Sequence, residues 1–311
     1  MKRKINEVGT GTFTVSIPMK WVKKYNLKKG DEIDVQEQDS KLILSKALKN
    51  EKKSVEIALS EVPSQDYQKF IRSTIGRFYR YGFSNIQVNF QNPETFSMIK
   101  SSVDEFIGAD IVDVKNLNCT IKVFPTEGDE DSDIHLLKIF VTIKYMFTII
   151  EEDILKSNFS RESTIRELRD NNWKLRDYVL RNAYLQNLTY EKFSALYVIL
   201  NAYEKISGNL LIFYRDYLNR QKIVDKRNVE AVMKTVKELL VWFHSIIGKE
   251  EQITYAVEAK LRNKLNLCNR HILNVLMHQK SDHAFLALVY FTLELLDGTV
   301  SYLSVYKKSI N

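Results

Sequence analysis

The sequence predicts a multidomain α+β protein with a small N-terminal β domain, a small α/β domain and a six-helix C-terminal bundle. Three observations predict it. Residues 8–17 alternate with a period of two, as a strand does. Residues 53–125 switch between that period and helical spacing. All four prolines (Pro18, Pro63, Pro93, Pro125) lie in the first 125 of 311 residues. The remaining 186 residues hold no proline, the residue costliest inside a helix, and only the glycines at 128, 208, 248 and 298.

In the opening stretch, Thr10, Thr12, Thr14 and Ser16 alternate with Gly11, Phe13, Val15 and Ile17, which predicts a strand over 8–17. Pro18 lacks an amide hydrogen and ends it. "MKWVKKYNL" follows as a short amphipathic helix, with Met19, Trp21, Val22, Tyr25 and Leu27 apolar and Lys20, Lys23 and Lys24 turned outward. "KKGD" turns about Gly30, and residues 33–44 read as a hairpin with a polar turn over Gln38–Ser40. Four short strands and one small helix bury little surface, so this unit is marginal alone and is expected to complete its core with a second copy.

"RKINEVGTGTFTVSIPMKWVKKYNLKKGDEIDVQEQDSKLIL", residues 3–44, resembles the AbrB/SpoVT/MazE swapped-hairpin DNA-binding domain, most closely its archaeal variety. The resemblance implies a homodimer whose hairpins interdigitate and that holds double-stranded DNA on a basic face. Charge points the same way. Residues 1–29 carry Lys2, Arg3, Lys4, Lys20, Lys23, Lys24, Lys28 and Lys29 against the single acid Glu7, which equals the net charge of +7 of the whole chain. The candidate DNA-binding residues are Lys2, Arg3, Lys4, Thr10, Thr12, Lys20, Lys23 and Lys24. The threonine hydroxyls, Thr14 included, are able to donate to phosphates. Lys28 and Lys29 read as solvating the turn.

Residues 53–125 read in the order β-α-β-α-β-β. "SVEIALS" is a strand. Ser64 caps a helix to Tyr81 with Tyr67, Phe70, Ile71, Ile75 and Phe78 at helical spacing. "NIQVNF" is a strand, Asn92-Pro93 starts a helix with Phe96, Ile99, Val103 and Phe106 inward, and "DIVDVKN" and "CTIKVFP" pair around Asn116–Asn118. Arg72, Arg77 and Arg80 cluster on the first helix and read as a solvated face, with an anion or partner site as the alternative. "EGDEDSD", five acids in seven residues, reads as a solvated linker; its spacing does not match an EF-hand.

From residue 134 six helices are expected, at 134–157, 160–185, 189–219, 228–247, 250–278 and 281–307, with Thr189 and Ser281 as caps and Gly248 as a stop. An internal repeat at an offset of 90 sets Glu204 on Glu294, Ile206 on Leu296 and Gly208 on Gly298. Two three-helix units of this kind resemble the PhoU family, some of whose members bind metals through acidic helix motifs. The domains expected are 1–47 (swapped-hairpin β domain), 53–125 (small α/β domain) and 134–311 (PhoU-like bundle). The acidic positions are depleted: Asp170 stands with Asn171, Asn172 and Lys174, and Gly208 and Gly298 replace further acids. A lysine beside a cation site is repulsive, so no metal or other cofactor is expected. Glu204 and Glu294 read as structural, hydrogen-bonded between helices.

His135, His244, His271, His278 and His283 form no HExxH or related spacing, and the chain has no nucleophile elbow, Ser/His/Asp arrangement or phosphate-binding glycine loop. It is read as no enzyme. Cys119 and Cys268 lack CxxC spacing, which fits a reduced cytoplasmic protein. "MKRKINEVG" lacks the apolar core of a signal peptide. The longest apolar run, Ile139–Ile150, is short and carries Lys144, so no membrane insertion is expected. The function expected is a DNA-binding transcriptional regulator linked to phosphate uptake, with a protein partner on the bundle. The alternative is a PhoU-like adaptor acting on a phosphate transporter or sensor without binding DNA.

Overall fold

The computed structural model describes residues 2–38, 41–46, 53–59, 67–125, 132–186, 188–220, 226–248, 253–278 and 283–307. It divides into two compact units, Met1–Glu51 and Lys52–Ser309.

In the first unit β1 (Ile5–Glu7) pairs antiparallel with β2 (Phe13–Val15), Ile5 opposite Val15 and Glu7 opposite Phe13. The single strand expected over 8–17 is therefore broken. Gly9 and Gly11 take φ of 76° and 84°, which turns the chain back, and the Val8 amide donates to the Thr12 carbonyl at 2.8 Å. α1 (Met19–Lys24) is shorter than expected. The Pro18 carbonyl accepts from the Trp21 and Val22 amides at 2.8 and 3.1 Å, and left-handed Asn26 (φ 51°) ends the turn. β3 (Ile33–Gln38) and β4 (Lys41–Lys46) form the second hairpin, Val35 opposite Leu44; the tip of its turn lies outside the described residues. Among the described residues of this unit none is buried. Ile5, Phe13 and Leu42 are 71, 66 and 68% exposed, so the hairpins hold apolar side chains that the described residues of their own unit do not cover.

The second unit opens with the expected α/β order: β5 (Ser54–Ala58), α2 (Tyr67–Arg80), β6 (Asn85–Asn89), α3 (Pro93–Val103), β7 (Ala109–Lys115) and β8 (Asn118–Val123). The sheet runs β5-β6-β8-β7, with β5 and β6 parallel and the other pairs antiparallel. Asn92 Oδ1 accepts from the Glu94 amide at 3.0 Å, so the predicted cap before Pro93 forms. Ser64 lies outside the described residues. Ile71, Ile75, Ile86, Val88, Ile99, Val103, Cys119 and Ile121 make the core. Phe70, expected inward, is exposed.

Six helices follow: α4 (Ser132–Lys156), α5 (Glu162–Leu185), α6 (Tyr190–Arg220), α7 (Lys226–Ile247), α8 (Tyr255–His278) and α9 (His283–Lys307). Thr189 Oγ1 accepts from the Lys192 amide at 3.2 Å as a cap. Ser281 and residues 127–131 of the acidic run lie outside the described residues, while Asp133 sits in the first turn of α4 and pairs with Lys307 at 3.1 Å. Phe140, Tyr203 and Phe243 stack through the core, and Phe213 of α6 meets Phe285 of α9 with ring centres 6.0 Å apart. Among the described residues one helix (Phe285–Lys307, mean hydropathy 1.3) has the length and composition to cross a membrane; half of that window is buried, and α9 packs on α6 and α8, as a core helix does.

The α/β layer is fastened to the bundle through α5. Asp177, with no exposed surface, accepts from Arg72 (3.3 Å) and Arg80 (3.0 Å) of α2 and from Arg176 (2.7 Å) of its own helix. Arg72 also pairs with Glu105, and Arg176 reaches Glu204 on α6. Arg181 donates to the Tyr79 and Phe83 carbonyls at 2.7 and 2.9 Å. Gly82 (φ 76°) lets Leu185 approach to 2.8 Å of where a Cβ would stand. The predicted solvated arginine face is thus corrected: Arg77 is exposed, but Arg72 and Arg80 turn inward because a buried carboxylate is presented to them.

Asp177→Asn removes the buried carboxylate that Arg72, Arg80 and Arg176 share, while Arg72 keeps Glu105 and Arg176 keeps Glu204. Urea denaturation should show a loss of about 3–5 kcal/mol, as for other broken buried pairs; a loss below about 1 kcal/mol would show that the junction is held otherwise. Gly298 sits exposed in mid-α9, and a Cβ there meets nothing within 4 Å. Gly298→Ala should therefore raise stability by about 0.5–1 kcal/mol in the same assay.

Candidate nucleic-acid interface

Each nominated cation of the first unit is exposed: Lys2, Arg3 and Lys4 ahead of β1, and Lys20, Lys23 and Lys24 on α1. α1 places the lysines outward because Trp21, Val22 and Leu27 take its partly covered side. The Lys24 ammonium lies 5.2 Å from the Tyr25 ring centre. Asp31 Oδ2 accepts from the Lys28 amide at 2.7 Å, which fixes the turn and leaves the Lys28 side chain exposed. Charge is segregated along the unit: eight cations and one acid precede residue 30, whereas Asp31, Glu32, Asp34 and Glu37 follow on the second hairpin side.

The register decides which of these residues lie together. Ile5 faces Val15, so Lys4 leaves the hairpin at the end where the chain passes through Pro18 into α1. The N-terminal cations and the start of α1 share that end. Thr10 sits at the opposite end, in the turn, with Thr12 at its base. Four residues of extended chain separate Lys4 from Val8, about 13 Å at strand spacing. Within one chain Thr10 and Thr12 are therefore not brought beside the lysine arm. The sequence pattern concealed this because it read the Gly/Thr run as strand rather than turn. Thr14 Oγ1 approaches the Asn6 carbonyl at 3.4 Å, across the hairpin.

Residues 8–53 match a family model, that of antidote-toxin recognition MazE, bacterial antitoxin. This MazE/AbrB-type segment takes in β2, α1, β3 and β4, and begins just after β1. No curated protein and no solved structure matches the chain.

Four acidic side chains at the repeat positions of the helical half make contacts within the protein. Glu204 accepts from Arg176, and Glu294 Oε1 accepts from Asn269 Nδ2 at 2.6 Å, the interhelical hydrogen bonds expected of them. Asp170 pairs with Arg169 at 3.1 Å and Asp297 with Arg262 at 3.5 Å. Among the described residues no three His, Cys, Asp or Glu side chains converge. Guanidinium and amide groups stand where a cation would need carboxylates. Addition of Mn2+, Zn2+ or Fe2+ should leave the melting temperature of the purified chain unchanged; a saturable rise with any of them would reverse this assignment.

Sequence reasoning missed Asp177 and Arg181. Asp177 follows Arg176 directly and reads as an ordinary surface pair. Nothing local marks it as the carboxylate on which α2 closes.

Proposed function

We propose that the chain is a DNA-binding transcriptional regulator that works as a homodimer through residues 1–47. The observation that carries this reading is the segregation of eight cations before residue 30, on a hairpin unit in which no described residue is buried; five of the eight, Lys20 to Lys29, lie in the segment that matches the MazE family. A second copy would cover Ile5, Phe13, Val35 and Leu42, and would double the cationic face. It would also bring the Thr10 end of one hairpin within reach of the other copy's lysine arm. Lys2, Arg3, Lys4, Lys20, Lys23 and Lys24 then neutralise phosphates, with Thr10 and Thr12 as hydroxyl donors.

In this reading the protein is cytoplasmic and not an enzyme. The α/β layer and the bundle receive the signal or a protein partner. The resemblance of the helical sequence to PhoU supports a link to phosphate uptake, and Glu204 and Glu294, set on each other by the sequence repeat, each accept an interhelical hydrogen bond, from Arg176 and Asn269. The adaptor alternative is favoured by one feature: α9 leaves Phe291, Tyr302 and Val305 exposed, apolar surface suited to a protein partner.

Fluorescence anisotropy with duplex DNA over a salt series separates the two. The regulator binds tightly at low salt, with a log–log slope that falls by about 0.9 for each phosphate contact removed. Replacing Lys2, Arg3 and Lys4 by Ala should flatten the slope accordingly. Absence of binding at low salt, or an unaltered slope in the triple variant, would remove the regulator reading and favour the adaptor.

A further inference from the structure

On α5, residues 169, 172 and 173 recur at helical spacing and share one face. Arg169 Nε, both amide atoms of Asn172 and the indole nitrogen of Trp173 are buried without a hydrogen-bond partner. Asn172 is 2% exposed. A buried polar atom left unmatched is costly, and folded proteins rarely keep several together without a bound species to satisfy them.

The surroundings carry both signs of charge, with Arg72, Arg169 and Arg215 set among Glu105, Asp170 and Asp177. The Arg169 and Arg72 guanidiniums lie 4.2 and 4.8 Å from the same Trp173 ring centre. Arg72 is neutralised by Glu105 and Asp177, but Arg169 has Asp170, itself 43% exposed. Burial holds the Arg169 guanidinium below its usual pKa, and Arg215 and Arg72 push it the same way. There is also room. The pairs Arg176–Glu204 and Arg215–Glu162 set α5 and α6 antiparallel, which puts Asn172 level with the turn ending at Gly208. A Cβ at Gly208 would meet nothing within 4 Å.

The second repeat serves as an internal control. α5 and α8 are both 24 residues long, so aligning their starts sets Arg169 on Arg262, Asn172 on Leu265 and Arg176 on Asn269. Leu265 is fully buried, and Arg262 is satisfied by Glu258, Ser301 and Asp297, while Asn269 Oδ1 and Asp297 Oδ1 of this repeat are themselves buried without a hydrogen-bond partner. The scaffold therefore needs no amide at this position.

We infer that Arg169, Asn172 and Trp173 form a site for a small oxyanion that retains a proton. Three N–H groups, one of them cationic, call for ligand oxygens. Asn172 Oδ1, an acceptor without a donor, calls for a ligand O–H, which hydrogenphosphate has and sulfate at neutral pH lacks. The site deepens the proposed phosphate link but does not depend on DNA binding.

Isothermal titration of the full chain with inorganic phosphate and with sulfate, without DNA and in constant chloride, tests it. Phosphate should bind saturably, one per chain, with sulfate weaker by roughly tenfold for the lost hydrogen bond. Trp173→Phe, which keeps the ring and removes the N–H, and Asn172→Leu, which copies Leu265, should each weaken phosphate by roughly tenfold or more. Asn172→Leu should raise the melting temperature of the anion-free protein. No saturable phosphate binding, affinity unchanged in both variants, sulfate binding equal to phosphate, or a lower melting temperature in Asn172→Leu would each overturn the assignment. Since no DNA is present, failure here leaves the regulator reading to its own experiment.

Discussion

The first unit of this chain depends on apolar side chains that its own fold does not bury. Two hairpins and a six-residue helix make two separate two-stranded sheets, and an isolated two-stranded hairpin is at best marginally stable in water. Burial of apolar surface is the main favourable contribution to folding. A unit that exposes Ile5, Phe13, Val35 and Leu42 has to obtain that contribution from outside itself. Charge restricts what can provide it. The cationic part ends at Lys29 and four acids follow by residue 37, so two copies set against each other can place opposite charges together while their lysine arms stay free. On the proposed reading, assembly and polyanion binding would follow from one arrangement rather than two.

Much of the fold was legible because its signals are local. The Asn92-Pro93 start of α3, the Thr189 cap and the β7–β8 turn each depend on residues within a few positions, and each forms. Six helices follow from proline's absence and apolar spacing. The reading failed where two local signals competed. The Gly/Thr run alternates as a strand does, but Gly9 and Gly11 permit positive φ at low cost, and the turn prevailed over the alternation. α9 was missed as the most apolar helix because its charged residues, Glu294 and Asp297, are spaced within an otherwise hydrophobic run.

The candidate sites were legible in part, for a related reason. A stripe of lysines on a short helix is visible as spacing, and the cations of the first unit are exposed as expected. Asp177 was invisible. Its meaning comes from Arg72 and Arg80, about a hundred residues earlier, and long-range pairing leaves no local pattern. The same holds for Asn172, which reads as a lost acid in a sequence and as an unmatched buried amide only once α6 is laid against it.

α5 is the element these features share. Its first half carries the proposed oxyanion site, its middle carries Asp177 and Arg181, and its last turn carries Tyr184, whose hydroxyl accepts from Lys53 at 2.9 Å. Lys53 stands just past the boundary where the chain leaves the hairpin unit. A ligand shifts an equilibrium only by the difference in its affinity for the two states. An anion that merely satisfies Asn172 and Arg169 in the present arrangement would stabilise the bundle and leave DNA affinity unaltered. Coupling requires that filling the site also change the grip of Asp177 on α2 or of Tyr184 on Lys53, because those contacts join α5 to the strand that continues into the linker. If the proposed regulator reading and the proposed anion site both hold, a response would have to pass through this ion-pair junction, and loosening the junction would remove the response without removing DNA binding.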